Sequence, residues 1–457
     1  MTNALKKILA PGAAAALCIA FSAAGGGCVD RTGIAGPSPT PVAPSPIPSG
    51  LPDASFGVAG VVTTTHTGGD HPSAMLIQPD GKILVAGLVG GSIELMRYTT
   101  SGTLDPSFGT AGIATYSSGS LAFDTYPGLA LQSSGKIVVA TSAYVSSESE
   151  FVVIRFGVTG ALDTTFGTSG VTTTAVGSVD DFAYSIAVQS DDKILVGGTS
   201  NTGSPNYNDV YAIARLSASG TLDAGFGTSG VATVPGASLN GDDAVLNLLV
   251  QSDGKIVATG GTTCAGKITL ARFSPAGALD ASFGTAGVVN SPISSFGSSC
   301  SNSDFRGAAL QADGSIVVTG YQANPNASDR DGLIARFTAA GAPDGSFGTN
   351  GLVNVPILGG DDAFTGVAVQ SNGQIVAAGY SDDGTEDVLS IVRVNSDGTF
   401  DTSFGPSWSG KETLKIGSGD AFGAGVALQA DGKIVVAVDV IGAGLVNEQF
   451  GVVRLEP

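Results

Sequence analysis

From residue 51 onward the apolar residues fall into short runs cut by Gly, Asp and Ser, with no helical period sustained along them. One run recurs seven times, an apolar stretch followed by Gln-x-Asp-Gly-Lys-Ile-Val or a close variant, with its Gln at Gln78, Gln132, Gln189, Gln251, Gln311, Gln370 and Gln429. Large residues precede the Gln by one and three positions (Ile77 and Met75, Leu131 and Leu129, Val188 and Ile186), and the residue between them is mostly Ala (Ala130, Ala187, Ala309, Ala368, Ala427). A strand apolar on both faces, with a small residue midway, fits an innermost strand crowded around an axis. The Asp-Gly pairs Asp80-Gly81, Asp253-Gly254, Asp313-Gly314 and Asp431-Gly432 predict tight hairpins, because Gly accepts the positive φ such turns require. The run after each turn is rich in Val and Ile and often ends in Gly. A third run sets an Arg among apolar neighbours, at Arg97, Arg155, Arg215, Arg272, Arg336, Arg393 and Arg454. A fourth, Thr-bearing segment such as Val61 to Thr65 reads as a more solvated outer strand. The pattern therefore predicts four antiparallel strands per repeat.

Between the third and fourth strands lies Leu-Asp-x-Ser-Phe-Gly-x-x-Gly, starting at Leu51 (with Pro52 inserted), Leu104, Leu162, Leu222 and Leu279, with variants at Pro343 and Phe400. Its Phe falls at Phe56, Phe108, Phe166, Phe226, Phe283, Phe347 and Phe404, with spacings of 52, 58, 60, 57, 64 and 57. Three markers, each present seven times in one order, predict a repeat architecture. The last repeat stops at Arg454-Leu455-Glu456-Pro457 without this motif or an outer strand, and Leu51 to Thr65 supplies both with nothing before them. The expected fold is thus all-β, a seven-bladed β-propeller whose ring is closed by the N-terminal strand of the mature chain, leaving no open sheet edge. The Asp-Gly-Lys-Ile turn together with Leu-Asp-x-Ser-Phe-Gly resembles the delta-60 repeat family of bacterial exported proteins, over nearly all of Leu51 to Pro457. The resemblance implies a propeller-like fold and supplies no activity. Asp192-Lys193 departs from it by lacking the turn Gly, and Ser315 and Gln374 stand where Lys is usual.

Composition agrees with many short strands: 68 Gly, 13% charged residues and 42% hydrophobic residues argue against both disorder and helices. The N-terminus adds a second element. Met1 to Lys7 is basic, Ile8 to Ala24 is apolar, and Ala24-Gly25-Gly26-Gly27-Cys28 follows, so residues 1–27 read as a secretory signal. Cys28 after small residues resembles the lipobox of bacterial lipoproteins, which implies lipidation of Cys28; Gly25 stands where that pattern has an aliphatic residue. Plain cleavage with secretion and an uncleaved anchor are the alternatives. Residues 28–50, with Pro37-Ser38-Pro39-Thr40-Pro41 and Pro44-Ser45-Pro46, form an extended linker, and 51–457 the propeller. Export favours a disulfide between Cys264 and Cys300 over two free thiols. Without Lys6 and Lys7, 18 basic residues face 39 acidic ones, a net charge of about −21 that repels nucleic acid.

An acid precedes the inner strand of every repeat, at Asp70, Asp124, Asp181, Asp243, Asp304, Asp362 and Asp420, and further acids precede the third strand at Glu150, Asp209, Asp331, Asp387 and Glu448. All belong on one face, an acidic rim that could draw Ca²⁺ or a basic ligand. An acid repeated in every blade is better explained as a cap accepting backbone N–H groups, and that is the reading preferred here. His66 and His71 are the only histidines, and no Gly-x-Ser-x-Gly, His-Glu-x-x-His or phosphate loop is present. The longer segment Ser291 to Ser303 is the main irregularity. The expectation is a monomeric, non-catalytic binding scaffold, exported to the cell envelope and touching membrane only through a lipid anchor. Its partner would be a surface protein or glycan. The alternative is a metal-assisted lyase or hydrolase acting outside the cell, with its metal unknown.

Overall fold

The computed structural model describes residues 49–65, 70–145, 147–201, 209–234, 244–261, 267–292, 303–323, 329–442 and 448–457. Cys28, Cys264, Cys300, Asp243 and His66 lie outside them, as does most of Ser291 to Ser303. The described residues form seven separate antiparallel sheets and no helix. Blade 1 runs outward from the axis as Asp70–Ile77, Ile83–Val89, Ser92–Tyr98 and Ile113–Tyr116. Blade 7 consists of Ala421–Leu428, Ile434–Ile441, Glu448–Leu455 and, from the other end of the chain, Val61–Thr65. Val61 pairs with Val453 and Thr65 with Gln449, so the N-terminal strand does close the ring.

The core is divided by the junctions between blades. Among the described residues there are seven buried clusters, each built from two neighbouring blades; between blades 1 and 7, Val85, Met96 and Tyr98 cluster with Phe56, Val435, Phe450 and Val452. The Phe of every Phe-Gly motif is fully buried there. Above each Phe ring lies the guanidinium of the repeated Arg, 4.4 to 4.7 Å from the centroid in all seven blades. Each Arg Nε donates to the Asp eight residues on, as Arg97 does to Asp105 at 2.9 Å. Its other nitrogens reach across the junction: Arg97 donates to the Val158 carbonyl and Arg155 to the Ala218 carbonyl, both at 2.6 Å. In blade 7 the partner comes from the opposite end of the chain, Arg454 donating to Asp53 at 2.7 Å. Burial alone would raise the Asp53 carboxyl, but the hydrogen bonds from Lys433 and Ser55 and the Arg454 charge hold it well below the usual carboxylate range.

Two local departures from the repeat are instructive. Asp192, in the turn without Gly, adopts φ +64 and braces itself by accepting from Ser133 N and Oγ of the preceding blade, each at 2.6 Å. Glu412 occupies the outer-strand position that holds Val62, Val289 and Val353 elsewhere, and is 5% exposed, with one carboxylate oxygen lacking a hydrogen-bond partner. Burial pushes its carboxyl from the ordinary 4.5 up to about 7.

Two consequences can be measured. Asp53→Ala strands the buried Arg454 charge and should lower unfolding free energy by about 3–5 kcal/mol in denaturant titrations; a loss under about 1 kcal/mol would deny the closing pair its role. The folded chain holds the Glu412 proton to higher pH than the unfolded chain, so this residue costs stability increasingly as pH rises through that window. Glu412→Val should therefore raise Tm by more at about pH 8 than at about pH 4, and an equal gain at both would show that the carboxyl is not titrating.

Candidate functional site at the channel mouth

The seven inner strands surround an axial cavity of about 690 Å³. Three positions before each Gln, one apolar residue per blade lines it, from Met75 round to Val426. Five positions before each Gln lies a second ring, Ser73, Pro127, Tyr184, Leu246, Arg306, Thr365 and Ala424. No two of these seven residues are the same. In five blades the register shifts at this position, between Pro72 and Ala74 in blade 1 and at its counterparts in blades 3, 5, 6 and 7. The extra residue of a bulge leaves the strand pairing and re-aims its side chain, here into the channel.

The bulge has a requirement on the neighbouring strand. A Cβ at Gly379 would sit 1.9 Å from the Ala363 carbonyl oxygen, so only Gly lets the curled inner strand approach. In blade 7 the requirement is met from the other side, Gly423 standing opposite Val438. Blade 2 has Thr141 at the Gly position, and its inner strand is broken into Ala122–Phe123 and Gly128–Leu131. That break puts Tyr126, 54% exposed, at the mouth.

The acids of the rim divide into two kinds. Asp181 and Asp362 are fully buried and accept backbone N–H groups of their own turns, from Val176 and Gly177 and from Ile357 and Leu358. Asp180, Asp361 and Asp420, one position earlier relative to the Gln, instead accept an N–H at the start of a third strand in the preceding blade, from Ser149, Arg330 and Asp387, each at 2.9 Å. Asp124 accepts the Ser149 hydroxyl. Burial pushes the carboxyls of Asp124, Asp181 and Asp362 up, partly offset by these bonds. Asp70 begins its inner strand opposite Val89, and Asp304 pairs with Tyr321. Among the third-strand acids, Asp387 is raised to about 6 by burial and then by the charges of Asp420, Asp382 and Asp361. Among the described residues no group of three or more His, Cys, Asp or Glu is placed to hold a metal ion.

A different cluster forms where blade 7 meets blade 1. His71 Nδ1 lies 2.7 Å from Asp439 Oδ2, with the imidazole 37% and the carboxylate 11% exposed. The Tyr126 ring stands edge-on to His71 at 5.6 Å, and Tyr380 and Phe422 meet edge to face at 5.0 Å. With Ser73, Arg306 and Thr365 they line a pocket of about 500 Å³ that opens at the channel mouth. Neither His71 nor Asp439 stands out in the sequence, where a histidine near the first strand and an acid within Val436-Ala437-Val438-Asp439-Val440 carry no motif. A comparison of equivalent repeat positions would have found both.

Blade order, junction packing and ring closure define a seven-bladed β-propeller. Six segments, residues 78–108, 132–166, 189–226, 251–283, 311–347 and 370–404, match the family model described as "Domain of unknown function (DUF5122) beta-propeller". Each runs from a repeated Gln to a repeated Phe. No curated protein sequence matches the chain significantly. Among solved structures, a catalytically inactive virginiamycin B lyase from Staphylococcus aureus with quinupristin is 13% identical, aligning over 87% of this chain and 99% of its own with a TM-score of 0.50. Sqt1 of Chaetomium thermophilum, bound to the N-terminus of a ribosomal protein, is 13% identical over 84% of this chain and 83% of its own, with a TM-score of 0.44. An α-L-arabinanase of Penicillium chrysogenum complexed with arabinobiose is 12% identical over 90% of this chain and 97% of its own, with a TM-score of 0.39. At such identities the likeness concerns the fold.

Because the buried rim acids are committed to backbone N–H groups, calorimetric titration with Ca²⁺ is expected to give no heat and an unchanged melting temperature. Heat that disappears in Asp181→Asn would return the rim to the list of cation sites.

Proposed function

We propose that this chain is an exported binding propeller that holds a glycan at the channel mouth between blades 7 and 1. The observation that carries the reading is the ring of seven different residues five before each Gln, above a ring three before each Gln that is apolar in every blade. Positions freed from building the blade are the ones that recognition can vary. The chemistry of the pocket supports a sugar. Tyr126, Tyr380 and Phe422 offer apolar ring faces, while Ser73, Thr365, Arg306 and Asp439 lie among them as polar groups. A pocket of about 500 Å³ suits one or two sugar rings of a longer chain.

Residues 1–27 as an export signal, lipidation at Cys28 and the Pro-rich linker 28–50 would present a monomeric propeller at the cell envelope. That location gives it access to surface glycans. Ser49 bonds beside the repeat turns, its N–H donating to the Ser403 carbonyl at 3.0 Å, on the face opposite the pocket.

Screening a glycan array with the purified propeller should find a ligand whose affinity falls by about tenfold or more, roughly 1.4 kcal/mol, in Tyr126→Ala and in Phe422→Ala. Binding untouched by both substitutions would move the site elsewhere, and capture of envelope proteins with no glycan bound would replace the reading by a protein-binding one.

A further inference from the structure

We propose that the pocket between blades 7 and 1 also performs chemistry: His71, oriented by Asp439, removes a proton from carbon in a β-elimination on a uronate-containing glycan, with Arg306 serving the substrate carboxylate. The proposal rests on the glycan-binding reading of the same pocket.

Coincident departures from the repeat carry it. No other blade has an imidazole at the His71 position, where Thr125, Phe182 and Phe422 stand in three of them. None has a carboxylate at the Asp439 position, where Leu88, Ser142 and Tyr380 are found. Leu88 shows that an apolar residue satisfies the blade there, so a carboxylate only 11% exposed is not needed for folding and costs desolvation. The two exceptions come from opposite ends of the chain and meet at 2.7 Å on the wall of one pocket.

The available chemistry is narrow. A Nδ1–H donating to Asp439 fixes the tautomer and leaves the lone pair on Nε2, which makes the ring a base. Neither aliphatic hydroxyl on the wall is a nucleophile for it: Ser73 Oγ donates to the Pro127 carbonyl at 2.7 Å, and Thr365 Oγ1 donates to the Gly423 carbonyl. A Ser-His-Asp acyl transfer is therefore not assembled. Among the described residues Asp439 is the one carboxylate lining this pocket, so they do not supply the pair of acids used in glycoside hydrolysis. Proton transfer from a C–H bond remains. Such a bond must be acidified by a neighbouring carboxylate, and the negative charge developing there needs a cation. Arg306 is the cation on the wall.

In the step, Nε2 of His71 takes the proton on the carbon next to the uronate carboxylate. The freed electron pair forms a C=C bond to the adjacent ring carbon, and the C–O bond to the leaving sugar breaks. The leaving oxygen takes a proton from solvent, and the imidazolium returns its own to solvent. One glycosidic bond becomes one alcohol and one unsaturated uronate, with no oxidant or reductant.

The test uses the whole propeller with polygalacturonate, alginate and hyaluronan, reading the ultraviolet absorbance of the unsaturated product beside calorimetric binding. Wild type should cleave at least one of them. His71→Ala should lower kcat by about 100-fold or more while binding that polymer within about threefold of wild type, and Asp439→Asn should lose rate with its melting temperature retained. A uronan that binds without forming unsaturated product, or cleavage that survives His71→Ala, overturns the elimination and leaves the glycan-binding reading standing. Failure of all three polymers to bind, beside neutral glycans that do, overturns the uronate assignment alone.

Discussion

The constraint on which the rest depends is the guanidinium held at each blade junction. A buried cation is tolerable only when its donors are met, and here each is met from both sides of a junction. The Asp of its own blade takes Nε, a carbonyl or hydroxyl across the junction takes a terminal nitrogen, and a Phe ring lies beneath. Removing any partner leaves a charge that the apolar cluster around it cannot solvate. Each Arg thus fixes one angle between neighbours, and seven such angles close a ring. In blade 7 the Asp comes from the other end of the chain, Asp53 accepting from Arg454, and Arg454 also donates across the last junction to the Thr100 carbonyl of blade 1.

A scaffold fixed in this way separates two kinds of position. The ring of apolar residues three before each Gln must fill the channel and stays chemically uniform. The residue two positions earlier, bulged out of the strand pairing in five blades, differs in every blade. The same logic applies to the acids. Asp181 and Asp362 are buried because each completes a turn, and their carboxylates are spent on that task. The described rim carboxylates that accept turn and strand-start N–H groups serve the blades, and the proposed chemistry uses residues that occur once.

The fold was legible because its markers are local. Asp-Gly turns, Arg eight residues before Asp, and Phe-Gly each need only a few neighbours to be recognised, and sevenfold recurrence supplies the rest. The pocket was not legible for a matching reason. Alternation along a strand assumes continuous pairing, so it cannot anticipate a bulge, and the five channel residues that bulges re-aim carry no mark in the sequence. Asp180 and Asp181 illustrate the limit: adjacent in sequence, they cap different blades, a distinction set by register. Asp124, Asp181, Asp362 and Asp420 were read as one class, and the structure divides them by what each carboxylate accepts.

His71 and Asp439 are 368 residues apart, on the first and last blades, and closure alone makes them neighbours. A pair at this junction has a kinetic consequence. Most contacts within a blade are local hairpins that can form early, whereas the contact between blades 7 and 1 requires the largest loop in the chain to close. By this argument the pocket is among the last features to assemble, because it needs blades 7 and 1 to meet. Any site placed within a single blade could form in an incomplete ring. This one cannot, because its imidazole stands on blade 1 and its carboxylate on blade 7.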